Sequence, residues 1–257
     1  MHPLVSVITP TYGRHDFLIG AQRWFDSQTY PNREWVILDD SPAPSAWFSQ
    51  NTDPRVRYIH DPVRRTIGEK RNMLVDMAKG EFVAHFDDDD YYAPRYLATM
   101  VDALIGNSAD LANLCSWYLL DLRHNFFGFW ALKTITGLHY SCETQGVRPV
   151  NLNEENNAAW RQNYFGYGFS YVYRRSVESY ARFADVNWCE EGNFVEKINQ
   201  YGKFIHIEDT SGLVLHVLHR KSTSLSLPQF HLPTFLMPTL FRESTEFLES
   251  LAQKGLL

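Results

Sequence analysis

Little in this chain is suited to cross-linking: its 257 residues include three cysteines, Cys115, Cys142 and Cys189. Widely spaced and odd in number, they exclude a disulfide framework and a paired CxxC metal site, and they read as core thiols in a reducing compartment. Long apolar runs are missing as well. No uninterrupted stretch reaches the ~18 residues that a membrane-spanning helix needs. The opening MHPLVSVITP carries no basic segment followed by a long apolar core, so the expectation is a soluble, cytoplasmic chain. Positive charge is not in excess either. A formal net charge of -6 argues against a nucleic-acid partner, and the local cluster Arg64, Arg65, Lys70 and Arg71 suits a small anion better. Finally, no GxGxxG follows the first strand and no GxxxxGK[ST] loop exists, so a polyphosphate would have to be held another way. Internal repeats and low-complexity segments are absent from the sequence.

What is present is a core-forming composition, 44% hydrophobic and 15% aromatic, enough for one α/β domain or one domain with a tail. Leu4 to Thr9 is a β-branched run ending at Pro10, and Phe17, Leu18, Ala21, Trp24 and Phe25 then recur at helical spacing. Glu34 to Leu38 reads as a second strand ending in Asp39 and Asp40, Ser41 to Asp53 as a loop, and Val56 to Ile59 as a third strand. Ile67, Lys70, Arg71, Leu74, Met77 and Ala78 carry helix periodicity up to Gly80. Phe82, Val83, Ala84 and Phe86 then form a buried strand. Pro94 opens a helix through Leu97, Met100, Val101, Leu104 and Ile105. Alternation of strand and helix implies a mostly parallel sheet with helices on both faces.

The chain is organised around EFVAHFDDDDYYAPRYL, residues 81–97. Here Asp87, Asp88, Asp89 and Asp90 fall at a strand's carboxyl end, the edge where open α/β sheets bind ligands. Adjacent carboxylates repel one another, and an oxygen-preferring Mg2+ or Mn2+ would remove that cost while leaving room for phosphate oxygens. The plainer reading is a solvated acidic turn. Pro10, Thr11 and Tyr12, then Asp39 and Asp40, lie at two further strand ends on the same edge, where polar and aromatic groups suit a base and ribose. Lys70 and Arg71 either supply charge to phosphates or form an exposed basic helix face.

These residues together resemble a known family. VSVITPTYGR, QTYP, VILDDSP, RVRYI, IGEKRNMLVDMAKGEFVAHFDDDDYYAPRYL and the later HRKSTS look like the landmarks of family-2 glycosyltransferases, which have the GT-A fold. The resemblance implies that Pro10, Thr11, Tyr12, Arg14, Asp39 and Asp40 hold the nucleotide, with Lys70, Arg71, Asp87 and Asp88 beside the nucleotide-sugar. It implies that a metal sits on Asp87 and Asp89, Asp89 foremost, with Asp90 as a cap or outer support. FGYGFSYVYRR, residues 165–175, resembles the stretch before the family's acceptor region. NWCEEGNF, residues 187–194, stands where the family has an acid pair at a helix start; here it is Glu190 and Glu191, with Glu191 taken as the general base and Glu190 as its rival. His219 resembles a histidine that completes the metal shell, and His216 competes with it.

Beyond residue 106 the periodicity weakens. Leu111 to Leu120 reads as one buried strand, Asp121 to Trp160 shows no sustained period, and Lys203 to Ile207 and Val214 to Leu218 read as strands. Trp117, Trp130, Tyr140 and Trp160 are either core or acceptor-stacking aromatics. The expected organisation is one domain over residues 1–225, with a nucleotide-sugar half at 1–105 and an acceptor half at 106–225. A helical tail over 226–257 would pack back, pair with a second copy or touch a membrane surface. The function implied is metal-dependent, inverting transfer of a sugar from a nucleotide-diphosphate-sugar donor to a sugar or lipid-linked glycan acceptor. Two other classes compete: a sugar-1-phosphate nucleotidyltransferase, which expects a Gly-rich basic loop where PTYGRHD stands, and a carbohydrate-binding protein with structural Ca2+.

Overall fold

The computed structural model describes residues 2–155, 167–222 and 224–253. The chain divides into two compact units, the first built from residues up to 89, 94–113 and 167–206, the second from 90–93, 114–166 and 207 onward. In chain order the elements are β1 (Val5–Thr11), α1 (His15–Ser27), β2 (Arg33–Asp39), β3 (Val56–His60), α2 (Ile67–Met77), β4 (Phe82–His85), β5 (Tyr91–Tyr92), α3 (Tyr96–Gly106) and β6 (Leu111–Leu114). There follow β7 (Ser116–Asp121), β8 (Phe126–Ala131), β9 (Gly137–Glu143), β10 (Gly146–Leu152), β11 (Val172–Arg174), α4 (Glu191–Tyr201), β12 (Phe204–Ile207), β13 (Val214–Leu218), β14 (Phe230–Leu232), α5 (Met237–Leu240) and α6 (Arg242–Gln253).

The first unit carries a seven-stranded sheet in the order β12-β6-β11-β4-β1-β2-β3. Strand β1 runs parallel to β4 and to β2, and β2 parallel to β3. Their carboxyl ends therefore share one edge, the expected place for a site. Phe82, Val83 and Ala84 are fully buried, as a strand covered on both faces requires. Helices α1 and α3 each turn one apolar stripe inward, through Phe17, Leu18, Ala21, Trp24 and Phe25 in α1 and Tyr96, Leu97, Met100, Val101 and Leu104 in α3. Helix α2 starts where Thr66 accepts a hydrogen bond from the backbone N–H of Glu69, which satisfies one of the open donors of its first turn. Its second residue must be small: a Cβ on Gly68 would lie 1.7 Å from the carbonyl oxygen of Ala184.

The second unit holds a five-stranded sheet, β14-β8-β7-β13-β5, and a separate hairpin of β9 and β10. Phe241 packs edge-on against Tyr91, Tyr118 and Phe127, so the segment before α6 is part of this core. Leu119, Phe126, Cys142 and Leu218 form a second buried group.

Two expectations change here. The single strand expected over Leu111 to Leu120 is broken at Cys115, and its halves β6 and β7 belong to different sheets. The region without periodicity contains β8, β9 and β10. Trp117 and Trp130 pack on each other with ring centres 5.2 Å apart and are buried, so neither presents a face to a sugar. Trp160, Phe165, Gly166 and Thr223 lie outside the described residues.

Candidate active site

At the end of β2, two carboxylates are saturated with donors. Asp39 accepts from the backbone N–H of Ser41 at 2.9 Å, from the Ser41 hydroxyl, from the Tyr58 hydroxyl at 2.5 Å, and pairs with His15 Nε2 at 2.9 Å. Burial alone would raise its pKa, but the hydrogen bonds from Ser41, Tyr58 and His15 hold it below the usual carboxylate range, as donors to the charged form do. Asp40 accepts from Lys70 Nζ at 2.7 Å, Arg64 at 2.7 Å and the Arg65 backbone N–H at 2.9 Å. Burial opposes ionisation here as well, and the same donors prevail. Lys70 is itself buried and donates a second hydrogen bond to the Thr11 carbonyl oxygen at 3.0 Å. Tyr12 is 43% exposed, and the Arg64 guanidinium lies over its ring, 3.8 Å from the centre.

At the end of β4 the balance is different. Thr11 donates to Asp88 at 2.6 Å, and Arg14 bridges Asp88 at 3.0 Å and Asp89 at 2.9 Å. Burial pushes the Asp88 carboxyl up to about 6, with the charge of Asp89 adding to it against Arg14. Arg71, fully enclosed on α2, reaches Asp87 at 3.3 Å, Glu190 at 3.1 Å and Nδ1 of His85 at 2.8 Å. His85 is buried in β4, and burial together with the Arg71 charge keeps it neutral, well below the usual histidine range. Five carboxyls, those of Asp87, Asp88, Asp89, Glu190 and Glu191, are thus gathered about the guanidiniums of Arg14 and Arg71.

Helix α4 begins at Glu191, with Glu190 as the residue before its first turn. Glu190 is buried on Arg71. Glu191 is driven the other way: burial first, then the neighbouring charge of Glu190, pushes its carboxyl up to about 7. Gly168 leaves space for this pair, since a Cβ there would stand 3.2 Å from the Arg71 guanidinium and 3.7 Å from the Glu191 carboxyl.

Asp90 and both histidine candidates belong to the second unit. Asp90 accepts from the Val217 backbone N–H at 2.9 Å and pairs with His216 Nδ1 at 2.9 Å, which ties β5 to β13. His219 is buried, and its Nδ1 accepts from the Lys221 backbone N–H at 3.1 Å. Among the described residues no three His, Cys, Asp or Glu side chains are already arranged as a cation site. The donor chemistry nevertheless fits one: Asp87, Asp88 and Asp89 offer hard oxygens, and Asp88 and Asp89 are bridged by a positive guanidinium.

Of the residues named from the sequence, Thr11, Arg14, Asp87, Asp88 and Asp89 are brought together, as are Asp40 and Lys70, and Arg71 with Glu190 and Glu191. Pro10 is half-buried inside β1. The exposed basic face is not found, because Lys70 and Arg71 are both buried and paired. Sequence reasoning missed His15, Ser41, Tyr58 and His85. Tyr58 was within reach, since alternation along β3 puts it on one face with Val56 and His60.

Residues 6–126 match the profile of "Glycosyl transferase family 2". That segment belongs to this family. A putative colanic acid biosynthesis glycosyl transferase of Escherichia coli K12, WcaA, is 32% identical over 104 residues, 39% of this chain and 37% of that protein. An Escherichia coli UDP-Glc:alpha-D-GlcNAc-diphosphoundecaprenol beta-1,3-glucosyltransferase, WfaP, is 30% identical over 100 residues, 38% of this chain and 40% of the relative. The chain therefore spans less than half the length of either. Among solved structures, S. aureus TarS 1-349 in complex with UDP superposes with a TM-score of 0.62 at 15% identity, over 95% of this chain and 64% of that one. At that identity the likeness speaks for the fold alone, and the fold is GT-A.

Proposed function

We propose that this chain transfers a sugar from a nucleotide-diphosphate sugar to an acceptor hydroxyl, with inversion at the anomeric carbon, in the assembly of a glycan or polysaccharide. One observation carries the reading: on a GT-A sheet, a carboxyl poised near neutrality, Glu191, shares Arg71 with Glu190 and with the acid cluster that follows β4. A proton acceptor works best when its pKa lies near the operating pH, and Glu190, buried and held by Arg71, is the poorer candidate. The roles then divide. Tyr12 offers its ring to the base, while Pro10, Thr11, Asp39 and Asp40 shape the strand ends that hold base and ribose. Lys70 keeps Asp40 in place, and Arg14, Asp87 and Asp88 border the diphosphate. Mg2+ or Mn2+ would be held by Asp87 and Asp89, and bound there it would neutralise charge on the diphosphate.

In the transfer, the acceptor oxygen forms a bond to the anomeric carbon as the bond to the diphosphate breaks. The diphosphate leaves with the electron pair, and the acceptor proton passes to Glu191. Arg71 pairs with Glu190 at 3.1 Å, while burial and the neighbouring charge of Glu190 keep the Glu191 carboxyl up at about 7. The named acceptor of WfaP, a sugar on diphosphoundecaprenol, supports a lipid-linked glycan as acceptor for this chain. The same likeness supports a cytoplasmic protein that meets such an acceptor at the membrane surface; no helix among the described residues is long and apolar enough to cross a membrane.

Thermal stability measured with UDP or GDP, with and without Mn2+, tests the donor site. Stabilisation by nucleotide and metal together, beyond the sum of each alone, is expected. Screening UDP-glucose, UDP-GlcNAc and GDP-mannose for metal-dependent hydrolysis follows. A protein that responds to Mn2+ but to no nucleotide would fit a cation-binding module and end the transferase reading.

A further inference from the structure

The loop that delivers the acid pair carries an indole for which the roles above have no use. Trp188 is 72% exposed, although it stands only three residues before Glu191. Exposed tryptophan on a loose loop would mean little, but this loop is moored along its length. Thr66 donates to Asp185 at 2.6 Å, the backbone N–H of Ile67 to the Asn187 side chain at 3.2 Å, and the backbone N–H of Gly68 to the Val186 carbonyl at 3.2 Å. The loop also closes on itself, the Ala184 N–H donating to the Glu190 carbonyl at 2.9 Å. Directly after Trp188, Cys189 takes a φ of +55°, a conformation that side chains other than glycine and asparagine avoid. The backbone on both sides of Trp188 is thus tied to α2 and to the start of α4, with the indole in the open.

We propose that Trp188 is the platform on which the pyranose ring of the acceptor lies, with its reacting hydroxyl turned toward Glu191. This rests on the reading of Glu191 as the base. The flat, rigid indole offers a large apolar face at low conformational cost, and a pyranose offers an apolar C–H face whose edges remain free to hydrogen-bond. The surroundings favour this occupant over a membrane: residues 184–191 hold no Lys or Arg, and the exposed acid there, Asp185, would repel an anionic lipid surface.

Saturation-transfer NMR with methyl glucopyranoside, methyl galactopyranoside and methyl N-acetylglucosaminide, on the wild type, Trp188→Phe and Trp188→Ala, is the direct test. Trp188→Ala is expected to weaken pyranoside binding by about tenfold or more, while Trp188→Phe keeps most of it. Stabilisation by UDP and Mn2+ should stay the same in both, which separates the platform from the donor site. Equal pyranoside binding by the wild type and Trp188→Ala would overturn the proposal, as would loss of the UDP response to the same degree. If Glu191→Gln retains transfer while Trp188→Ala loses pyranosides, the platform stands and the assignment of the base falls. Should Glu191→Gln abolish transfer while Trp188→Ala leaves the acceptor KM unchanged, the platform alone falls. Binding of Trp188-bearing protein to phosphatidylglycerol vesicles, lost in Trp188→Ala without any effect on pyranosides, would also refute it in favour of a lipid contact.

Discussion

At the end of β2, Asp39 and Asp40 each accept from at least three donors and stay ionised below the usual range; at the end of β4 and the start of α4, Asp88 and Glu191 are pushed toward neutrality. Both regions are rich in acids, and burial pushes all four carboxyls upward. The contrast turns on how far the donors around each one offset that push. Where the protein supplies every donor, a carboxylate is a fixed part of the wall. Where two guanidiniums serve five acids, the site is left able to take up further positive charge or a proton, which is what the metal and the acceptor hydroxyl of the proposed transfer would bring.

The sharpest way to break this contrast is to remove one cation from each side. Arg71→Met strands Glu190, Asp87 and the His85 contact in the interior and should cost about 3–5 kcal/mol, measured by urea unfolding. Lys70→Met should cost less, about 1–3 kcal/mol, because Asp40 keeps Arg64 and the Arg65 N–H. Equal losses would mean that the two sides do not differ in spare charge. Next in size is Glu191→Gln, expected to lower turnover by roughly 100-fold or more with donor affinity retained, while Glu190→Gln costs less. The rate limb that rises through about pH 7 in the wild type should vanish with Glu191→Gln. Asp89→Ala should abolish the part of nucleotide affinity that depends on Mn2+, read by calorimetry, and leave the metal-free part as it was. Asp40→Ala should weaken UDP binding even without metal and leave bare pyrophosphate alone.

The smallest effect is in the pH dependence of stability. Asp88 and Glu191 bind protons more tightly in the folded chain than in the unfolded one, so stability is fullest at acid pH. It declines as pH rises from the ordinary carboxylate range of about 4 through about 6 for Asp88 and about 7 for Glu191. Asp39 and Asp40 contribute with the opposite sign, losing their stabilisation as the pH falls below the ordinary range. Chemical denaturation between pH 4.5 and 8 in EDTA, comparing wild type with Glu191→Gln, isolates the first effect; the variant should show a flatter profile.

The comparison also bears on what could be read from the sequence. The strands and helices up to Gly106 were legible because each is punctuated by Pro, Gly or an acid pair and has one dominant period, and the convergence of strand ends followed from parallel order. Burial of Lys70 and Arg71 was not legible, since nothing local distinguishes a Lys-Arg pair facing solvent from one paired with Asp40, Asp87 and Glu190 of distant segments. FFGFWA in β8 is apolar without alternation, and β9 and β10 form a partly buried hairpin with little hydrophobic pattern to detect. Its turn, Thr144 to Gly146, carried the only signal, a glycine between two short runs.

Strand β4, which leads into the acid cluster, lies between β1 and β11. One neighbour is made early and the other far downstream, at Val172–Arg174. During synthesis, β4 can pair with β1 as soon as it emerges, but its other edge stays bare until β11 follows, after the whole run of β5 to β10. An apolar strand with an open edge invites pairing with other chains. The repulsion of the four aspartates that follow β4 then acts on the nascent chain as a local safeguard, before there is any ligand for them to bind.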